Sequence, residues 1–150
     1  HLNVDAEGVP VAMEVWKLRR NQYHSDNGLA NAPSQWTMIG DVVVRGRGRY
    51  CRSHLTGFEP VPIHKGTLNA FYITTKGGLG FGGQIVYTTG RQLRAIVVQD
   101  EYAVTLEGSK VVFPFGDVED PAQFNGQVNY CPGLDGCPED ERGEEEEEEE

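Results

Sequence analysis

The chain has 150 residues, 38% of them apolar, with 13 Lys+Arg against 23 Asp+Glu and a formal net charge of −10. That length builds one hydrophobic core rather than two. No run of about 18 apolar residues occurs, which excludes a membrane-spanning helix, and no heptad repeat persists, which excludes a coiled coil.

The 19 glycines punctuate short segments rich in Val, Ile, Phe, Tyr and Thr, a pattern of strands bounded by turns with almost no helical periodicity. In chain order the predicted strands cover residues 11–18, 36–44, 61–63, 69–75, 84–88, 93–98, 103–107, 110–115 and 124–130. In the first, Val9, Val11, Met13 and Val15 fall on one face and Glu14 on the other, while Trp16 and Leu18 imply that the second face is covered as well. Around Phe71 and Ile73, bulk on both faces predicts a central strand. Glu107-Gly-Ser-Lys110 predicts a hairpin between its flanking strands. Nine short strands in one domain predict an all-β, antiparallel, jelly-roll-like sandwich of two sheets over residues 1–138.

The net charge is unevenly placed. Residues 139–150 carry ten carboxylates, seven of them the run Glu144–Glu150, against the single cation Arg142. The preceding residues hold 12 Lys+Arg and 13 Asp+Glu and are close to neutral. Adjacent like charges bury no apolar surface, so this end is expected to be a disordered acidic tail. A solubilising end, a linker or an added tail is favoured over a polyanion that recruits cations, a mineral surface or a basic partner.

Cysteines occur at Cys51, Cys131 and Cys137. Pro132, Gly133 and Gly136 lie between the last two, which favours a local Cys131–Cys137 disulfide over a bridge from Cys51 to either. The sequence starts at His1 with no leader-like segment, as expected for a processed or excised piece. The turn-rich β character and paired cysteines imply a secreted or cell-surface setting, although no Asn-x-Ser/Thr sequon is present.

The order Val15-Trp16, Trp36-Thr37, Val44-Arg-Gly46-Arg-Gly48, Phe71-Tyr72-Ile73-Thr74, Phe113-Pro-Phe-Gly116 and Phe124-Asn-Gly126-Gln-Val128-Asn-Tyr130 runs through most of the chain. It resembles a poorly characterised β-sandwich module of exported and surface proteins of diatoms, other algae and some bacteria. The resemblance spans residues 11–130 and implies an architecture, singly or in tandem, but no catalytic residues. The arginine-rich stretch, the cysteines and the acidic tail depart from that pattern.

Arg45, Arg47 and Arg49 form the one concentration of positive charge, with Arg52 and His54 nearby. In extended backbone a period of two aligns them as a row suited to sulfated glycans, phosphates or an acidic segment. A solvated strand end balanced by neighbouring carboxylates is the plainer reading. Nucleic acid is not expected, because no further basic face exists and the tail competes with phosphate. Among the aromatics, Trp16 and Tyr23 have polar neighbours and are the expected exposed rings for stacking on a sugar.

Lys76-Gly-Gly-Leu-Gly-Phe-Gly-Gly83 precedes a strand rather than a helix and reads as an inter-strand loop, not a phosphate cradle. No histidine or carboxylate spacing specifies zinc or calcium, and no nucleophile stands beside a base; no cofactor is expected. The reading is a non-catalytic extracellular binding or assembly module for a glycan or protein ligand. A carbohydrate hydrolase with carboxylates that lack a local signature, and a structural repeat of a cell-surface array, are the alternatives.

Overall fold

The computed structural model describes residues 1–4, 7–76 and 85–130. Ten strands run in chain order: β1 Leu2–Asn3, β2 Glu7–Leu18, β3 Trp36–Arg47, β4 Arg52–Ser53, β5 Phe71–Thr75, β6 Tyr87–Thr89, β7 Ile96–Gln99, β8 Val104–Leu106, β9 Gly108–Val111 and β10 Val118–Phe124. The fold is all-β with antiparallel pairing, as the composition predicts. Among the described residues the strands form two three-stranded sheets, β3-β2-β5 and β6-β10-β9, and two ribbons, β1-β4 and β7-β8.

The long β2–β3 pair organises the molecule. Val11, Met13 and Val15 are buried on one face of β2, where Met13 opposes Val42 and Val11 opposes Val44. Leu2 and Val4 cover that face, with Leu55, Ile73 and Ile85 packed at its margin. Trp16 and Leu18 point to the opposite face, where Leu18, Leu29, Trp36, Tyr72 and Phe115 form a second cluster joined by Val111 of β9. The two three-stranded sheets therefore meet in a β-sandwich-like arrangement across this aromatic cluster. Phe115 sits at its centre, 4.7 Å from Tyr72 and 5.1 Å from Trp16 between ring centroids. Its φ of 52° is in the left-handed region, which costs a bulky residue about 1–2 kcal/mol and is offset by burial of the ring.

Several sequence expectations are corrected. Bulk on both faces of residues 69–75 does not mark a central strand: among the described residues β5 is an edge and β2 the centre of that sheet, with Tyr72 and Thr74 buried and Phe71 exposed. No strand forms at residues 61–63. The Gly108-Ser109 pair does not make a hairpin, because β8 pairs with β7 while β9 pairs with β10. Buried Glu107 marks the point where the chain leaves one sheet for the other. The last strand runs through Val118–Phe124 rather than residues 124–130; a bulge between Glu119 and Ala122 takes Pro121 out of the ladder. Residues 77–83 of the glycine-rich loop, Gln84, Cys131, Cys137 and the tail lie outside the described residues.

Candidate functional site

Two polar constellations stand out. The first is exposed and basic, at the end of β3. Arg45 and Arg47 alternate with buried Val44 and Gly46, so both side chains project to the exposed side. The expected third member is displaced: β3 ends at Arg47, Gly48 adopts φ 89°, and the Cys51 N–H closes a turn on the Gly48 carbonyl. Arg49 thus lies within that turn, and no three-residue row is formed. Arg52 stands on β4, opposite Asn3 of β1.

The backbone supports this edge. Arg47 N–H donates to Ser53 Oγ at 3.1 Å, and Ser53 is fully buried. The Arg47 guanidinium donates to His54 Nε2 at 3.4 Å, leaving His54 Nδ1 to face His1 Nε2 at 3.3 Å. Arg52 Nη1 donates to Gln127 Oε1 at 2.5 Å. Residues 126–127 run antiparallel beside β1 through the Leu2–Gly126 bridge and the Gln127 N–H to His1 carbonyl bond. Arg45, Arg49, His1 and His54 engage further groups. Cys51, the thiol expected to be left over, is exposed and free.

Two other cations, Lys76 and Arg94, provide an electrostatic contrast. Lys76 pairs with Asp41 at 2.5 Å, and Arg94 pairs with Asp26. The Asp41 carboxylate holds the Lys76 ammonium above the ordinary lysine range, with Glu14 adding to the effect. Among the described residues, the side-chain partners of Arg47 and Arg52 are His54 and Gln127, and neither arginine has a carboxylate in ion-pair contact.

The second constellation is buried and ties the ribbon β7-β8 to the sheet β6-β10-β9. Glu107 is 2% exposed, and its carboxylate accepts from Arg91 N–H at 2.8 Å, Gln92 N–H at 2.7 Å and Gln123 Nε2 at 2.7 Å. Burial pushes this carboxyl upward, but the three donors outweigh it and hold the group below the ordinary glutamate range. A Cβ on Gly90 would come within 2.7 Å of Glu107 Oε2 and 2.9 Å of Pro121, which is why glycine stands in that turn.

Tyr23 belongs to the same network, contrary to the expectation that it is exposed. It is 4% exposed, donates to the Glu107 carbonyl, and accepts from Arg94 N–H at 3.0 Å. The Arg94 guanidinium covers its ring 4.6 Å from the centroid. Burial raises its hydroxyl pKa above the ordinary tyrosine value. Trp16 is half-buried and packs edge-on against Phe115. The Tyr23 ring offers no open face for stacking. Tyr23→Phe removes a buried hydroxyl with two partners and is expected to cost about 1–3 kcal/mol, read by urea unfolding; an unchanged midpoint would remove this brace from the account.

His24, Ser109 and Asp120 place a histidine, a serine and a carboxylate together, and their polarity decides their use. Ser109 donates its one proton to Asp120, so His24 Nε2, 2.7 Å away, donates to Ser109 Oγ. Burial keeps the His24 imidazole below the ordinary histidine range, while Asp120 and Asp26 pull the other way. A ring that gives a proton to the serine is not placed to take one, which is the reverse of nucleophile activation. Both oxygens of Glu107 are likewise occupied by donors.

These groups make stability pH-dependent. The folded pKa values of His24 and Glu107 are both lowered, so the unfolded chain binds more protons and stability falls with acid. The decline begins as pH drops through about 6.5 for His24 and extends below about 4.3 for Glu107. Urea midpoints across this range should show both phases, and His24→Gln should remove the upper one; a flat profile between neutrality and mild acid would contradict the assignment.

No family model, curated protein or solved structure matches the chain. The chemistry of the two constellations therefore carries the functional reading.

Proposed function

We propose that the protein is a binding module that holds an anionic polymer at the end of β3, with Arg47 and Arg52 as the principal contacts and Arg45 and Arg49 at the margin. The observation that carries this reading is a pair of exposed guanidiniums, Arg47 and Arg52, whose side-chain partners are His54 and Gln127, with no carboxylate in ion-pair contact among the described residues, whereas Lys76 and Arg94 are each bound to an aspartate. A guanidinium presents a planar fork of donors that fits sulfate and carboxylate, and its hydrogen bonds to side chains other than carboxylates orient it without cancelling its charge. The body is close to neutral while the chain as a whole is acidic, so affinity for an anion requires a local field rather than net charge.

The extracellular setting expected from the cysteine spacing belongs to the same proposal, as does the absence of catalysis. Calorimetric titration of the full chain at low ionic strength tests it. A short chondroitin sulfate oligosaccharide is expected to bind and a neutral dextran oligosaccharide of equal length is not; equal heats from both probes, or none from either, would overturn the reading.

A further inference from the structure

The turn that closes the β7-β8 ribbon carries an exposed aromatic pair. Asp100 N–H donates to the Ala103 carbonyl at 3.0 Å, and Asp100 Oδ1 accepts from the Tyr102 and Ala103 N–H groups, each at 2.8 Å. Asp100 Oδ2 accepts from the Tyr130 hydroxyl, which brings Tyr130 and Tyr102 edge to face with centroids 6.5 Å apart. Tyr102 is 64% exposed and Tyr130 42% exposed. The Tyr130 hydroxyl is pushed up to about 12 by its bond to Asp100, so it keeps its proton and continues to donate. The Tyr130 ring is thus oriented before any ligand arrives, with the Tyr102 ring against its edge, which lowers the cost of ordering the pair.

This platform adjoins the arginines through one short segment. Gln127 touches Arg52, Asn129 Nδ2 reaches His1 Nε2 at 3.4 Å, and Tyr130 touches Asp100. The three steps from Gln127 to Tyr130 span at most about 10 Å. Resting on the proposal that the arginines hold an anionic polymer, we infer that this polymer is an acidic polysaccharide, with the apolar face of a sugar ring on Tyr102 and Tyr130 and its anionic groups at Arg52 and Arg47.

Three features favour a polysaccharide over an acidic peptide. A pyranose has a flat apolar face to bury against a phenol ring. One of its hydroxyls can donate to the remaining lone pair of Asp100 Oδ2, the others being taken by the turn amides and the Tyr130 hydroxyl. Asp100 and neighbouring Glu101 repel carboxylates, so an anionic substituent is directed away from the tyrosines and toward the arginines, whereas a peptide acidic along its whole length is opposed at this end.

The test compares a chondroitin sulfate oligosaccharide with polyaspartate of equal charge, titrated into the full chain and into Tyr102→Ala and Tyr102→Phe variants. Tyr102→Ala should weaken the oligosaccharide about two- to tenfold and leave polyaspartate unchanged, while Tyr102→Phe, which keeps the ring face, should bind the oligosaccharide as the unmodified chain does. Oligosaccharide affinity indifferent to Tyr102→Ala, or an equal loss for both probes, would overturn the inference while the arginine site stood. Failure of both probes to bind the unmodified chain would remove the arginine site and this inference with it.

Discussion

Replacing Trp36 with alanine is expected to lower the unfolding free energy by about 3–5 kcal/mol. The indole is 3% exposed, its Nε1–H donates to the Leu29 carbonyl at 2.8 Å, and its ring lies 5.9 Å from Phe115 and 6.2 Å from Tyr72. Truncation loses the transfer free energy of the largest side chain in the cluster and removes one of two donors to the Leu29 carbonyl, which keeps the Ala32 N–H. The cavity would open where β2, β3 and β5 meet Phe115 and the end of β9, so little backbone can move in to fill it. Trp36→Phe should recover part of the loss, because a ring remains between the layers. Equilibrium denaturation with urea reads both; a cost below about 1 kcal/mol for Trp36→Ala would mean that the sheets do not depend on this cluster.

The second large effect concerns binding. Arg47→Glu combined with Arg52→Glu is expected to reduce affinity for a chondroitin sulfate oligosaccharide by at least about tenfold, because each reversal replaces an attractive contact with a repulsive one. Both side chains are exposed and neither supports the core, so the melting temperature should hardly move. A single reversal at Arg49, within the turn that Gly48 opens, should matter less. Equal losses at Arg49 and Arg47 would indicate diffuse attraction rather than a site built around β3 and β4.

The parts legible in the sequence were those governed by local pattern. The period-two alternation of Val11, Met13 and Val15, and the phase of Trp16 and Leu18, defined β2 and both of its covered faces. Long-range placement was not legible. β1 and β4 contain two residues each and exist only because they pair with one another, which no local signal encodes. Pro121 and its acidic neighbours disguised β10, since a bulge and not a turn accommodates the proline. Tyr23 has polar neighbours in sequence, but its burial comes from Arg94 and Glu107, far along the chain. The alternation that aligned Arg45 with Arg47 continues in sequence to Arg49 and fails in space, because Gly48 turns the backbone. The signal for Tyr102 and Tyr130 was weakest of all; Asp100 two residues before Tyr102 marks a capped turn, but nothing local brings Tyr130 to it.

An anion held by localised guanidiniums is tested most directly by the dependence of affinity on salt for the full chain and a chondroitin sulfate oligosaccharide. Two arginines engaging anionic groups, each releasing about one counterion, predict a linear fall of log affinity with log salt of slope about −1 to −2. That slope should flatten when Arg47 and Arg52 are replaced. An affinity that does not change with salt, or a slope that survives loss of both arginines, would contradict binding of this kind.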